Sequence, residues 1–357
     1  MKKLVTAILL SIICISASAQ RYEFSQHYKA SLFLNPAFAG IYNSPQLNTN
    51  FNISTSDNPN YQRQMGQVSI IFPINISGAQ GKQIGGVGVT GYTLTQGLRD
   101  SERISAGFLT YAQTLRLSIV SPDIISIGAQ VGYETYDVSL SNLRWGSQYS
   151  AFLGDGFDPT SPSPVTDYDN RTSHVAVNAG IMYFYNRERN YLLYNYSAFS
   201  GITVSNVNRP DVSVNKNGEF RAPILAKYHG AFEFQLKKLF VIPAAMVRYY
   251  ASNFQYNLGT YFAYSTSSGR GFSLDSRGLE LVFGTWYRLK DSFTFIAGVN
   301  HDSYSINLSY DLNSNVFFTE SSLGPNESLL LNPAFEISIT YTRSRDSRLR
   351  KVSNPLF

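Results

Sequence analysis

The sequence predicts an all-β fold, a transmembrane antiparallel β-barrel of about fourteen strands preceded by a short N-terminal segment. Three observations predict it. The chain opens with an export signal and has no later apolar stretch long enough to cross a membrane as a helix. Segments of about nine to eleven residues alternate apolar with polar side chains, the length a tilted membrane strand requires. Tyr and Phe number 25 and 24 and Gly 26, while charged residues make up only 15%.

Lys2 and Lys3 precede the apolar run Leu4 to Ile15, and Ser16-Ala17-Ser18-Ala19-Gln20 follows. This is the three-part layout of a secretory signal, with Ala17 and Ala19 as the small residues read by the peptidase. Cleavage is expected after Ala19, so residues 1–19 leave. The run is too short for an anchoring helix. Cys14 does not follow a small residue, as a lipoprotein site would need. It is the only cysteine, so the mature chain is expected to hold no disulfide and no thiol ligand or nucleophile. Without Lys2 and Lys3 there remain 27 Lys and Arg against 24 Asp and Glu, a net charge of +3. That balance gives no reason to expect nucleic acid as a partner.

In Ser303 to Leu312 every even position is apolar or aromatic and every odd position polar. One face then meets hydrocarbon and the other water. The same period recurs in Ile125 to Glu134 and in Phe335 to Tyr341. Weaker alternation places the remaining strands near 45–54, 66–76, 84–95, 103–115, 173–185, 191–201, 223–236, 239–250, 254–264, 277–288 and 292–299. A soluble sandwich would use shorter strands, near five or six residues. An even count brings both termini to one side, the periplasmic one in a bacterial outer membrane, and most long connections (55–65, 137–172, 202–222, 313–333) to the other. Tyr183 to Tyr185, Tyr191, Tyr194, Tyr249-Tyr250 and Trp286-Tyr287 suit interfacial girdles in contact with lipid, or cross-strand packing. Gly85, Gly86, Gly88 and Gly91 suit bends or close approach along a barrel wall.

No constellation of catalytic residues emerges, so no enzyme activity and no cofactor are expected. The four histidines, His27, His174, His229 and His301, lack metal-ligand spacing. His301-Asp302-Ser303 are neighbours in sequence, whereas a catalytic triad is assembled in space. Glu23, Glu102 and Glu134 form no local carboxylate pair. The loop around Asp155, with Asp158, Asp167 and Asp169, offers oxygen ligands of the kind calcium uses, but in no EF-hand spacing; a solvated acidic loop is the preferred reading.

Phe24-Ser25-Gln26-His27-Tyr28, followed by Leu34-Asn35-Pro36-Ala37-Phe38-Ala39-Gly40, closely resembles the opening of the PorP/SprF family of the type IX secretion system of gliding bacteria. The resemblance continues through Leu143 to Gln148, Gly156-Phe157-Asp158-Pro159 and the two closing strands. Phe24, Gln26, Tyr28, Asn35, Pro36, Ala37 and Gly40 carry the opening motif. After Asn50 this chain has Phe51-Asn52-Ile53-Ser54 where the family usually shows Arg-x-x-Trp-Pro. The resemblance implies a non-enzymatic barrel that binds, exports or anchors a secreted, adhesin-like cargo protein through its type IX C-terminal domain. It also implies association with the periplasmic ring and other secretion components. Trp145, Phe157 and Asp158 are candidate partner-binding loop residues.

The expected organisation is therefore a signal at 1–19, an N-terminal segment at 20–44, a barrel at 45–342 and a basic periplasmic tail at 343–357. Asn35-Pro36 is read as a rigid turn and Gly40 as a flexible exit. Such a segment either tucks into the barrel mouth or simply leads into the first strand. A diffusion porin, motivated by the polar lumenal face, is the competing reading.

Overall fold

A computed structural model describes residues 23–55, 62–76, 82–98, 100–117, 123–140, 143–149, 156, 158, 160–161, 164, 170–185, 196–214, 219–266, 279–301, 303–313 and 333–343. Alternation in the sequence becomes fourteen strands among these residues. They are β1 (Gln46–Ser54), β2 (Arg63–Ile76), β3 (Lys82–Gln96), β4 (Glu102–Arg116), β5 (Ile124–Val138), β6 (Arg171–Tyr185) and β7 (Tyr196–Ser205). The second half comprises β8 (Leu225–Leu236), β9 (Leu239–Tyr250), β10 (Asn253–Ser265), β11 (Leu279–Arg288), β12 (Ser292–His301), β13 (Tyr304–Asn313) and β14 (Ala334–Thr342). Each pairs antiparallel with its neighbours in sequence, and β1 closes the barrel on β14.

Because successive side chains point to opposite faces, the period-two pattern sets the wall's two surfaces. Along β1, Gln46, Asn48, Asn50 and Asn52 are buried in the lumen while Leu47 and Phe51 face outward. On β13 and β14, Asn307, Ser309, Glu336 and Ser338 point in, and Ile306, Leu308, Phe335 and Ile337 point out. The exposed side chains, 44% for Phe51 and 57% for Leu308, form the apolar band of a membrane barrel. Tyr249, Tyr183 and Tyr341 are on this outer face. Trp286 is not. It is 4% exposed and faces the lumen, because two consecutive aromatic residues of a strand cannot both meet lipid. Tyr191 and Tyr194 lie outside the described residues.

The strands fall where alternation placed them, except that β7 covers 196–205 rather than 191–201. Residues 191–195 lie outside the described residues. Upstream of this ladder the first half of β6 extends beyond β7, whose pairing with β6 stops at Ala179 and Val204. There Asn208 substitutes for a strand. Its amide nitrogen donates to the Val175 carbonyl at 2.7 Å, and its oxygen accepts from the Val177 amide at 3.1 Å. The connection after β7 thus covers an edge that would otherwise lie open.

The even count sets Gln46 opposite Thr342, and we call that end the tail mouth. The connections at 139–170, 206–224 and 314–333 share the other end, the loop mouth.

Residues 23–44 form no strand. They run through the lumen from one mouth to the other. Near the loop mouth, Glu23 meets Lys227, the third residue of β8, and Arg248, the third from the end of β9. Near the tail mouth, the Gly40 carbonyl accepts from Thr114 Oγ1 and the Tyr42 carbonyl accepts from Gln83 Nε2. Both strand ends lie on one side as expected, but Glu23 lies on the other, because the segment crosses the barrel before β1 begins.

Local chemistry shapes this segment. Ser31–Leu34 form one helical turn and Pro36–Gly40 a 3-10 turn. Asn35 is extended (φ −156°, ψ 122°), as the residue before a proline must be. Its side-chain oxygen accepts from the Ala37 amide at 2.9 Å, and Pro36 supplies the fixed φ of the first helical position. The turn then lies directly on the wall. A Cβ at Gly128 would come within 2.5 Å of the Ala37 nitrogen, and one at Gly86 within 1.9 Å of the Ala39 oxygen. These wall positions accept no side chain while the segment is docked. Gly128→Leu is therefore expected to dislodge the segment and cost at least about 1–3 kcal/mol of stability. Gly107→Ala, with no atom within 4 Å of the new Cβ, should be silent. Thermal unfolding of the detergent-solubilised barrel compares the two.

Candidate functional site: the occupied lumen and the loop mouth

The lumen has two unlike faces. Around the closing seam it is polar, with Asn48, Asn50, Asn52, Ser69, Asn307, Ser309, Asp311, Glu336 and Ser338 buried. From β6 to β12 it carries an apolar patch, with Met182, Phe184, Phe199, Ile242, Met246, Val282 and Trp286 buried, beside buried polar residues that include Lys227, His229 and Arg248. The segment presents a matching side chain to each face. Tyr28, Leu32, Leu34, Phe38 and Ile41 pack into one apolar core with the second face. Each such burial is worth roughly 1.5–3 kcal/mol before the cost of ordering the chain. Tyr28 meets Phe199 edge-on, with centroids 5.5 Å apart, and its hydroxyl donates to the Gly230 carbonyl at 3.3 Å.

On the polar face one carboxylate gathers the contacts. Glu336 on β14 accepts from the backbone amides of Ser25 at 2.7 Å and Gln26 at 3.1 Å. It also accepts from Asn50 at 3.4 Å and Asn52 at 3.3 Å, both on β1. It therefore joins the last strand, the first strand and the segment. Gln26 completes the joint: its amide reaches Ser309 Oγ at 3.3 Å, and Ser338 Oγ donates to its oxygen at 2.7 Å. Ser25 Oγ donates to Asp311, and Asn48 donates to Ser31 Oγ at 3.0 Å. Buried polar groups of this kind stabilise where they are bonded, as Glu336 and Gln26 are across the seam.

Asn35 anchors the middle. Besides capping its own turn, its amide nitrogen contacts the Ile181 carbonyl at 3.4 Å, the Ile202 carbonyl at 3.3 Å and His229 Nε2 at 3.2 Å. Ser126 Oγ donates to the Ala37 carbonyl at 2.7 Å. Near the loop mouth a buried ion triad forms, with Lys227 Nζ 2.6 Å and Arg248 Nη1 3.2 Å from the two Glu23 oxygens. Beside it lies a cavity of about 40 Å³ lined in part by Glu23, Phe33, Tyr92, Glu134 and Lys227. This is room for water rather than for a solute.

All seven residues read as the opening motif thus lie in the lumen: Phe24, Gln26, Tyr28, Asn35, Pro36, Ala37 and Gly40 are buried there. Wall residues that receive them, above all Glu336, gave no signal beyond being polar members of alternating strands. The loop residues are elsewhere. Trp145 is half-buried at the start of a 3-10 turn, where its amide donates to the Gln148 side chain at 3.1 Å. The Asp158 amide donates to the Gln148 carbonyl at 2.8 Å, so Trp145 and Asp158 are brought into one loop fold. Asp158 accepts from the Thr160 amide at 2.9 Å and hydroxyl at 2.6 Å, and those bonds hold its carboxyl below the usual carboxylate range. Its oxygens are engaged locally. Phe157, Asp155, Asp167 and Asp169 lie outside the described residues, as do Ala17 and Ala19. Among the described residues no group of three or more His, Cys, Asp or Glu could hold a metal. His27 and His229 belong to the packed lumen, His174 lies beside Glu134 at 3.6 Å, and His301 is exposed at the end of β12.

The family model described as "Type IX secretion system membrane protein PorP/SprF" matches residues 16–341. The chain belongs to the PorP/SprF family. Family and architecture place this barrel in the outer membrane as a component of type IX secretion, and neither is of an enzymatic type. No match was found among curated proteins. Among solved structures, the Pseudomonas putida toluene transporter TodX shares 10% identity and a TM-score of 0.46, over 92% of this chain and 96% of that one. A Pseudomonas aeruginosa FadL homologue shares 12% identity and a TM-score of 0.46, over 88% and 94%.

In this PorP/SprF barrel the Glu23 triad tests how firmly the lumen is filled. Glu23→Ala removes the carboxylate between two buried cations and should destabilise by about 3–5 kcal/mol. The triple change Glu23→Leu, Lys227→Met, Arg248→Leu should restore most of the loss. Chemical denaturation in detergent reads both.

Proposed function

We propose that this barrel is a docking and anchoring component that binds a secreted cargo protein through the cargo's type IX C-terminal domain and helps to hold or export it. One observation carries the reading: the lumen is filled by the chain's own residues 23–44, while the three longest connections, 139–170, 206–224 and 314–333, leave from one mouth. A filled lumen offers a solute no path, so the protein's working surface is its mouths. In this reading the loop mouth faces the exterior, and the tail mouth, with the basic tail 343–357, faces the periplasmic ring. The division into signal 1–19, lumenal segment 20–44, barrel 45–342 and tail 343–357 follows the same reading. Within the loop mouth, the fold that joins Trp145, Gln148 and Asp158 presents Tyr149, 72% exposed, outward. An exposed aromatic on an ordered loop is a suitable contact for a folded domain.

Affinity capture from detergent-solubilised membranes is expected to recover a secreted protein bearing that C-terminal domain. Deletion of the gene should lower the surface abundance of the same protein. Normal abundance of every such cargo in the deletion strain sinks the proposal. Tyr149→Ala should weaken capture several-fold without shifting thermal unfolding.

The channel reading is tested by conductance. The purified barrel should give no steady current across a planar bilayer, and removal of residues 23–41 should produce one. Stable conductance by the intact protein would favour the diffusion pore.

A further inference from the structure

We infer that the mature N-terminus is presented at the loop mouth, so that the two ends of this chain emerge on opposite sides of the membrane. The inference deepens the proposed function in one respect. The threading is read from the lumen alone, whereas naming the loop mouth the exterior rests on that proposal.

The direction of threading is set by four independent contacts near one end and three near the other. Glu23 pairs with Lys227 and Arg248, each three residues from the loop-mouth end of its strand. Ser25 bonds Asp311, third from the end of β13, and Glu336, third from the start of β14. All four wall residues belong to the loop-mouth third of the barrel. At the other end, Tyr42 meets Gln83, the second residue of β3, and Gly40 meets Thr114, third from the end of β4. Ala37 meets Ser126, the third residue of β5. The chain from Glu23 to Tyr42 therefore travels the length of the lumen, and its upstream direction points out of the loop mouth.

Alternation alone gives the opposite result. An even number of strands returns the chain to its starting side, but that rule counts wall crossings only. The lumenal segment is a fifteenth crossing without strand pairing, and one additional crossing reverses the side of the N-terminus. The buried ion triad and the Glu336 joint fix that end, because withdrawing the segment would take the Glu23 carboxylate from Lys227 and Arg248 and the Ser25 and Gln26 amides from Glu336.

Cysteine labelling tests this directly, since the single Cys14 is expected to leave with the signal. Three variants are needed: Arg21→Cys upstream of the docked segment, Ser147→Cys in an exposed part of the loop mouth, and Lys238→Cys in the exposed β8–β9 turn at the tail mouth. Each is treated with a membrane-impermeant maleimide in intact cells and again after permeabilisation. The expected result is that Arg21→Cys behaves as Ser147→Cys, labelled in intact cells, with Lys238→Cys labelled only after permeabilisation. If Arg21→Cys instead follows Lys238→Cys, the threading is overturned. If it reacts in neither condition, or is missing from the mature chain on mass analysis, the claim that this end is presented is overturned. Should Ser147→Cys be protected and Lys238→Cys exposed, the outward-loop reading fails separately. The threading is still decided by which of the two Arg21→Cys follows.

Discussion

Fourteen strands enclose more space than their own inward side chains fill, and that constraint organises the rest of the molecule. An eight-stranded barrel is just wide enough for side chains to close its interior, and much larger ones enclose water or a plug. Here the filler is the chain's own residues 23–44. They bring Tyr28, Leu32, Leu34 and Phe38 to an apolar half-lumen that water would solvate poorly. To a polar half-lumen they bring Ser25 and Gln26, and the Glu336 carboxylate links them to both strands of the closing seam. Without the segment, β1 and β14 would still pair, but Glu336 would keep only the two asparagine donors of β1.

The same constraint explains the glycines. A lumenal turn can lie flat on a strand only where the strand has no side chain. Gly86 and Gly128 provide that clearance on β3 and β5, and the small residues Ala37, Ala39 and Gly40 provide it on the segment. Both surfaces must be small at once. The Asn-Pro pair does the complementary job of setting direction, because the extended Asn35 and the fixed φ of Pro36 turn the chain along the wall. Its side chain then bonds β6, β7 and β8 together.

How much of this was legible in the sequence depended on whether a strand's two faces differ. In β1, β13 and β14 one face is Asn, Ser or Glu and the other Phe, Leu or Ile, so alternation identified both the strand and its orientation. In β6 and β9, runs such as Ile181-Met182-Tyr183-Phe184 are apolar on both faces. There the pattern gave the strand without saying which side met lipid, and Trp286 was assigned to a girdle for the same reason. The lumenal partners of the opening motif were illegible in principle. Gln26 and Glu336 are 310 residues apart, and no local periodicity encodes a contact at that separation. The glycines at 85–91 signalled close approach, but not that Gly86 would meet the Ala39 carbonyl and Gly88 the Leu32 side chain.

A filled lumen also changes what the wall is for. In a pore, inward residues must remain solvated, and a polar lining is a working surface. Here the inward residues are a protein core with a large apolar patch, a Glu23–Lys227–Arg248 ion triad and a hydrogen-bonded Glu336, so rigidity replaces permeability. A rigid barrel with long connections at one mouth is a platform. What it can do lies in what those connections, and the chain end threaded toward them, can grip.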